Sequence, residues 1–206
     1  MLEYNLKVFL STTIGLMILT CALFLWQRAD FESWIEDGQN KIIADKVTEK
    51  PQSLEKHPQL LKEYLSKVLP KNYQNSCKTV RYKQNGLFRM GPEEKMSIFK
   101  ASQIVSLISP MFSWKAKIAS RGIPVTVCDR LVDGKGELEA RLLGAIKVAK
   151  AAGPELLKGE LLRYLAEIPW YPYAVVNQPF IQWKQIGDTK LYGSISINGV
   201  SATVEY

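Results

Sequence analysis

Thiols and imidazoles are scarce in this sequence, whose 206 residues carry three cysteines and one histidine. Cys77 and Cys128 stand alone, without the Cys-x-x-Cys spacing of zinc and redox sites, which excludes a metal cluster and leaves core packing as the expected role of each. His57 is the sole imidazole, so every Ser-His, Cys-His or multi-histidine arrangement depends on it. It sits beside Pro58 at a helix start, where a structural or exposed role is expected. A phosphate-binding glycine loop is also missing: Gly134-Lys135-Gly136 leads into Glu137 and a strand, not into a helix N-terminus, which disfavours nucleotide binding. No cofactor and no metal site follow from the sequence. With 47% hydrophobic and 23% charged residues and ordinary glycine and proline usage, the chain is long enough for one core or two small domains.

What the sequence does have is one long apolar run. Val8 to Trp26 reads VFLSTTIGLMILTCALFLW, nineteen residues without a charge. As a helix rising about 1.5 Å per residue it spans roughly 28 Å, the thickness of a bilayer's hydrocarbon core. Tyr4 and Trp26 suit the interfacial aromatic positions, and Lys7 and Arg28 bracket the run. The expectation is a single-pass anchor at 1–28, with the lipid bilayer as partner through residues 8–26. Signal cleavage at Thr20-Cys21-Ala22 would leave Leu23 to Trp26 exposed at a new terminus. Lipoprotein processing at Cys21 is disfavoured by Leu19 and Thr20 before it, and a buried soluble helix by the run being apolar all round. Lysines and arginines near the two ends almost balance, with a slight lean to an extracytoplasmic domain, where Cys77 and Cys128 could pair; on the reducing side they stay free.

The net charge of +7 is unevenly placed: +1 over residues 1–28, −4 over 29–40, +10 over 41–121 and zero over 122–206. The basic stretch alternates with apolar residues, which reads as a solvated sheet face and not as a nucleic-acid stripe. Near an anchor, such a face can also meet anionic headgroups.

After the anchor, Phe31, Trp34, Ile35, Ile42 and Ile43 sit at helical spacings interrupted by Gly38, predicting a membrane-proximal helix or linker over 29–57. Pro58 to Leu69 reads as a helix with Leu61, Tyr64, Leu65 and Val68 on one face, stopped by Pro70. From Cys77 the period becomes two. Phe112, Trp114, Ala116 and Ile118 form one alternating run, and Leu138 through Val148 another. Asn85-Gly86, Asp133-Gly134 with Gly136, Gly187-Asp188 and Asn198-Gly199 supply hairpin turns. Gly153-Pro154 opens a long helix with Leu157, Leu161, Tyr164, Leu165 and Ile168 as its stripe, ended by Pro169 and Pro172. About nine strands without βαβ repeats predict an α+β fold: a transmembrane helix, then an antiparallel sheet large enough to curl over 58–206, with one or two packed helices including 154–168. The final SATVEY alternates like a strand without a following turn, which reads either as an edge strand or as a sheet that is C-terminally incomplete.

On the long helix, Glu160, Arg163 and Glu167 share a face at i, i+3 and i+7. Two carboxylates around a guanidinium suit acid–base work on a glycosidic bond, while a solvated ion-pair stripe explains them equally. Asp129, Arg130 and Asp133 surround a strand end where charge and turn formation already account for them. The aromatics Phe112, Trp114, Trp170, Tyr171, Tyr173, Phe180 and Trp183 fit either a core between helix and sheet or an apolar pocket within a curved sheet.

The succession DGKG, RLLG, AAGPELLKGELLRYLAEIPWYP and IQW resembles an uncharacterised bacterial family of unknown function whose members share GxG, an LLG strand, AxGP, a GExxRYLxExxWxP helix and a following xxW strand. FKASQIVSLISPMFSWKAKI upstream is similar to that family's xAxQxxxxxPxFxWxAxI strand pair, so the likeness covers residues 58 to 206. It points at Gln103, Trp114, Gly136, Gly153, Pro154, Glu160, Arg163, Glu167, Trp170 and Pro172. Gly136 and Gly153 have turn or capping explanations, and Trp114 and Trp170 packing ones. The resemblance further implies a sheet similar to the half-barrel of lipoprotein-carrier proteins, a lipophilic ligand, and strands continuing past Tyr206.

Three functions compete. The first is a membrane-tethered, non-enzymatic cell-envelope domain holding a lipid or other lipophile, with Trp114, Glu160, Arg163, Glu167 and Trp170 as ligand-binding candidates and no nucleic-acid partner. The second is a hydrolase-like enzyme using Glu160 or Glu167 with Arg163. The third is a structural or assembly partner of other membrane proteins.

Overall fold

The apolar run is the first half of a single helix. In the computed structural model, which describes residues 1–46, 54–70, 77–89, 91–120 and 122–206, helix α1 runs unbroken over Leu2–Ile43. It is long and apolar enough to cross a membrane, a test that a signal sequence also passes. From Glu3 to Leu23 its side chains are exposed, and beyond that point the character changes: Phe31, Ile35 and Ile42 are fully buried. Gly38 does not interrupt the helix. A Cβ there would come within 2.9 Å of the Arg130 guanidinium, so glycine makes room for an arginine lying against the helix. The linker reading for 47–53 lies outside the described residues.

A short helix α2, Gln59–Val68, then buries Leu61 and Leu65. Six strands follow as an antiparallel meander: β1 Thr79–Phe88, β2 Ser97–Ser106, β3 Phe112–Ser120, β4 Ile123–Val132, β5 Lys135–Leu142 and β6 Ile146–Ala152. Helix α3, Pro154–Glu167, a single 3₁₀ turn at Ile168–Trp170 and the short α4, Tyr173–Asn177, lead to a second sheet of β7 Gln182–Ile186, β8 Lys190–Ile197 and β9 Val200–Glu205. The architecture is α+β, with nine strands among the described residues, about the number that the period-two pattern predicts, but divided into two sheets, and the larger is open. The reason is the helical segment after β6. It places α3 over the large sheet, and β7–β9 then pack on the opposite side of α3, so one core joins Val105, Phe112 and Leu131 to Leu161 and Leu165 and on to Ile195 and Ala202.

Two local readings change. Asn85-Gly86 is no turn: both residues lie inside β1, where Gly86 passes the Phe99 ring at a distance that leaves no slack for a side chain, 3.1 Å from an ideal Cβ. The alternating run from Leu138 to Val148 is two strands, folded back at Leu143 and Gly144, which have φ of 54° and 76°. The turns at Asp133-Gly134, Gly187-Asp188 and Asn198-Gly199 stand where the sequence puts them.

The large sheet has two dissimilar faces. One is covered by the second half of α1. Arg130 donates to the Trp34 carbonyl at 2.7 Å, lies 3.7 Å above the Trp34 ring and binds Glu137 through two nitrogens. Arg141, about two helical turns nearer the N-terminus of α1, donates to the Gln27 carbonyl, binds Asp30 at 3.0 Å and Glu139 at 2.6 Å, and sits over Phe31. Both arginines are almost wholly buried, a position stable only because donors and ring faces are all engaged. Lys115–Glu32 adds an ion pair in which acidic charge of the helix neutralises a sheet cation, and Lys41–Asp133 adds one of the opposite sense, from a helix cation to a carboxylate of the β4–β5 turn. Cys128, buried beneath Phe31 and Ile35, touches the Ser113 hydroxyl; burial pushes its thiol up to about 12, and Cys77 is free and exposed.

The other face carries α3, seated on β5 at Gly136. Gly136 is a strand residue, not a turn residue, and an added Cβ would meet the Leu157 backbone at 2.7 Å. Gly136→Ala is therefore expected to destabilise the fold by about 1–3 kcal/mol through overpacking. Gly159→Ala, exposed in α3 with nothing within 4 Å of its ideal Cβ, should be neutral or stabilise by up to about 1 kcal/mol. Thermal unfolding of the two variants of the full chain checks the contrast.

Candidate functional site

Antiparallel register lines up Tyr82, Gln103, Trp114 and Asp129 as a row across β1, β2, β3 and β4. All four face α3, because each is opposite its neighbour and side chains opposite one another share a face. Arg163 comes down onto this row from α3. Its Nη1 donates to Asp129 at 2.7 Å, its Nη2 to Gln103 at 3.1 Å and its Nε to Glu167, one helical turn on, at 2.9 Å. The second Glu167 oxygen accepts from the Gln103 amide at 2.7 Å and the Tyr82 hydroxyl at 3.2 Å. The guanidinium also faces the rings of Phe112 and Trp114, 4.9 and 5.1 Å from their centroids. Burial weakens the hold of Arg163 on its proton, and Glu167 and Asp129 more than restore it. Tyr82 is held well above the ordinary phenol range by burial and by Glu167.

Glu160, one turn before Arg163, is buried, and its Oε2 has no hydrogen-bond partner; neither has Asp129 Oδ1. Desolvation, then the neighbouring Asp129 carboxyl, push Glu160 up to about 9. One proton on Glu160, donated to Asp129, satisfies both orphaned oxygens and accounts for a buried carboxyl that no cation contacts directly.

Beyond this network the sheet face carries a small cluster of Ala101, Ala116 and Ile118 with Phe99, Trp114 and Val127, and no helix lies over it. A helix is roughly 10 Å wide, while strands of nine or ten residues run roughly 30 Å, so α3 covers only the part of the face at Val105, Phe112 and Leu131. The remainder is a cavity of about 680 Å³. Trp114, Asp129 and Arg163 close its inner end, Val127, Leu138 and Ala140 form its floor, and Phe88, Ile118 and Val125 lie towards the outer end. Trp114 is held in place by its indole N–H, which donates to Gln84 at 2.6 Å, and by the Phe99 ring, tilted against it at 6.3 Å between centroids.

Of the residues singled out in the sequence, the structure brings Gln103, Trp114, Glu160, Arg163 and Glu167 together. Trp170 stands apart on the surface, 64% exposed and edge-on to Tyr82 at 6.1 Å. His57 is buried in the turn before α2, and burial lowers its pKa. Tyr82 and Gln84 carry no sequence signal, since strand register alone delivers them; Asp129 was legible only as a charge near a strand end.

Two outcomes test the network. Arg163→Met leaves Asp129 and Glu167 without their counter-ion and is expected to cost about 3 kcal/mol. The folded-state value of Glu160 lies above the ordinary carboxyl value near 4.3, so the native state keeps a proton that the unfolded chain releases. That contribution is complete below about pH 4.3, declines as pH rises towards 9 and is then gone. The stability of the wild type relative to Glu160→Gln therefore falls between pH 5 and 9, by at most about 1.4 kcal/mol per unit. Parallel pH profiles in thermal or denaturant unfolding would exclude the shared proton.

Residues 55–206 match a family described as a family of unknown function, DUF6920. No curated protein and no solved structure matches the chain. The match takes in both sheets, α3, the cavity and every member of the Arg163 network, and on that footing the chain belongs to the family of unknown function DUF6920.

Proposed function

We propose that this chain is a membrane-anchored, non-enzymatic protein that holds a lipid or another lipophilic molecule against the open face of its large sheet. The observation that carries the reading is the cavity itself. About 680 Å³ is within the range of small-molecule sites, and its lining is mostly aliphatic and aromatic along the floor, with polar groups at both ends: Gln84, Asp129 and Arg163 at the inner one, and Arg89, Glu94, Lys95 and Ser97 at the outer one. Such a lining rewards an apolar chain by the area it removes from water. Gln84, Asp129 and Arg163 at the inner end offer hydrogen bonds to a polar group on the same molecule.

The geometry favours this over a hydrolase. Both oxygens of Glu167 are engaged, one by Arg163 and one by Gln103 and Tyr82, and Glu160 is buried against Asp129. Neither carboxyl is presented to the cavity as an acid or base. The network instead fixes Arg163 and Trp114 at the inner end of the groove. The anchor would keep such a site in the envelope, at the surface where lipophiles are found.

Ala149 lines the cavity and is exposed, so a tryptophan there fills the groove without entering the core. Native mass spectrometry of the full chain, purified in detergent, is expected to show a lipid-mass adduct on the wild type and at least a fivefold weaker one on Ala149→Trp. Equal adducts on both, or none on either, would overturn the proposal.

A further inference from the structure

Helix α1 fixes more than attachment. It passes from the apolar run into its sheet contacts without a linker: Trp26 ends the run, and the next residue, Gln27, already accepts from Arg141 through its carbonyl. The height of the sheet above the bilayer is therefore set by contacts along one rigid helix. Phe24, two residues inside the run, lines a cleft with Lys117, Pro124 and Leu143, and Arg28 packs beside Gly144. Pro124 and Leu143 thus lie level with the last turn of the membrane-crossing segment. By strand register, Leu87 and Ile98 belong to the same end of the sheet, since the row formed by Gly86, Phe99, Ile118, Val125 and Leu142 immediately precedes it.

This end is unlike the opposite one. Leu87 and Ile98 are each 64% exposed, Ile123 48% and Leu143 44%. Arg28, Lys100 and Lys117, all exposed, lie close behind. At the opposite end, the β4–β5 turn and the β8–β9 turn place Asp133 and Asn198 at φ of 52° and 50°, the residue types that tolerate a left-handed backbone. The β5–β6 turn places Leu143 at φ 54°, where a branched side chain crowds its own backbone and water gives it nothing in return.

We propose that the hairpin ends carrying Leu87, Ile98, Ile123 and Leu143 dock into the headgroup layer of the same bilayer that α1 crosses. Leucine at a left-handed turn position then has a partner, the acyl boundary, and the nearby cations face lipid phosphates. Phe88, Ile118 and Val125, with Arg89, Glu94, Lys95 and Ser97 of the β1–β2 end, place the outer end of the cavity at this rim, so a lipophile enters the groove from the headgroup layer with polar groups to meet its head. The docking rests on the anchoring part of the proposed function and is independent of whether the groove is filled.

The test uses the full chain in vesicles of phosphatidylcholine and phosphatidylglycerol containing a doxyl-labelled lipid. In a Cys21→Ser, Cys77→Ser background, where Cys128 is buried, an environment-sensitive fluorophore is placed by Leu16→Cys, Ile98→Cys, Ile123→Cys, Leu143→Cys or Lys135→Cys. Leu16 reports the anchor, and Lys135 the far end of the sheet. Strong quenching is expected at 16, clear quenching at 98, 123 and 143, and none at 135. Adding Leu143→Asn, which suits the turn and so preserves the fold, should reduce quenching at 123 by about half. Quenching at 16 with 98, 123 and 143 as silent as 135 would overturn the docking and leave the anchor standing. Silence at 16 would overturn both.

Discussion

One continuous helix, gripped by two buried arginines, is the constraint on which the rest of this structure depends. Arg130 and Arg141 each hold a carbonyl of α1, a carboxylate and an aromatic face at once. A buried guanidinium left unpaired would be very costly, so the two clamps hold together or not at all. Because the gripped segment begins one residue after the apolar run, the sheet inherits its position from the helix. An anchor joined through a flexible linker would leave the domain free to turn; this one does not.

The opposite face of the sheet follows from a shortage of cover. α3 and the second sheet supply one packed layer over the end of the sheet at Phe112 and Leu131, and the rest of the face holds a smaller cluster of Ala101, Ala116 and Ile118 with Phe99, Trp114 and Val127, beside an open groove. At the boundary, where apolar packing gives way to open groove, sits the Arg163 network. Four strands and one helix contribute to it, and almost every donor and acceptor is answered within it, the exceptions being the buried Glu160 Oε2 and Asp129 Oδ1, which one proton on Glu160 would answer together. Its chemical character is that of a fixed wall and not of a reactive centre: the carboxylates hold the guanidinium, and the guanidinium lies against Trp114.

Much of the fold was legible because local patterns dictate it. A charge-free run of nineteen residues, two proline-bounded leucine stripes and period-two alternation each have one economical structural solution. Where the reading failed, a tertiary contact had overruled a local signal. Asn85-Gly86 has the composition of a turn, yet the glycine is there to pass Phe99; Gly136 looks like part of a turn, yet it lets α3 sit on β5; Gly38 looks like a break, yet it admits Arg130. In each case a glycine was read for its conformational freedom when its lack of a side chain mattered.

The sequence by itself determined the long apolar helix, the α+β class, the strands and the face shared by Glu160, Arg163 and Glu167, since these are properties of neighbours along the chain. Only the tertiary structure decided that the strands form two sheets, that Tyr82, Gln103, Trp114 and Asp129 line up under Arg163, and that part of one face stays without a helix over it. Those outcomes depend on register and on how far a helix of fourteen residues reaches across a broad sheet, and neither is recorded in the order of residues along a single strand.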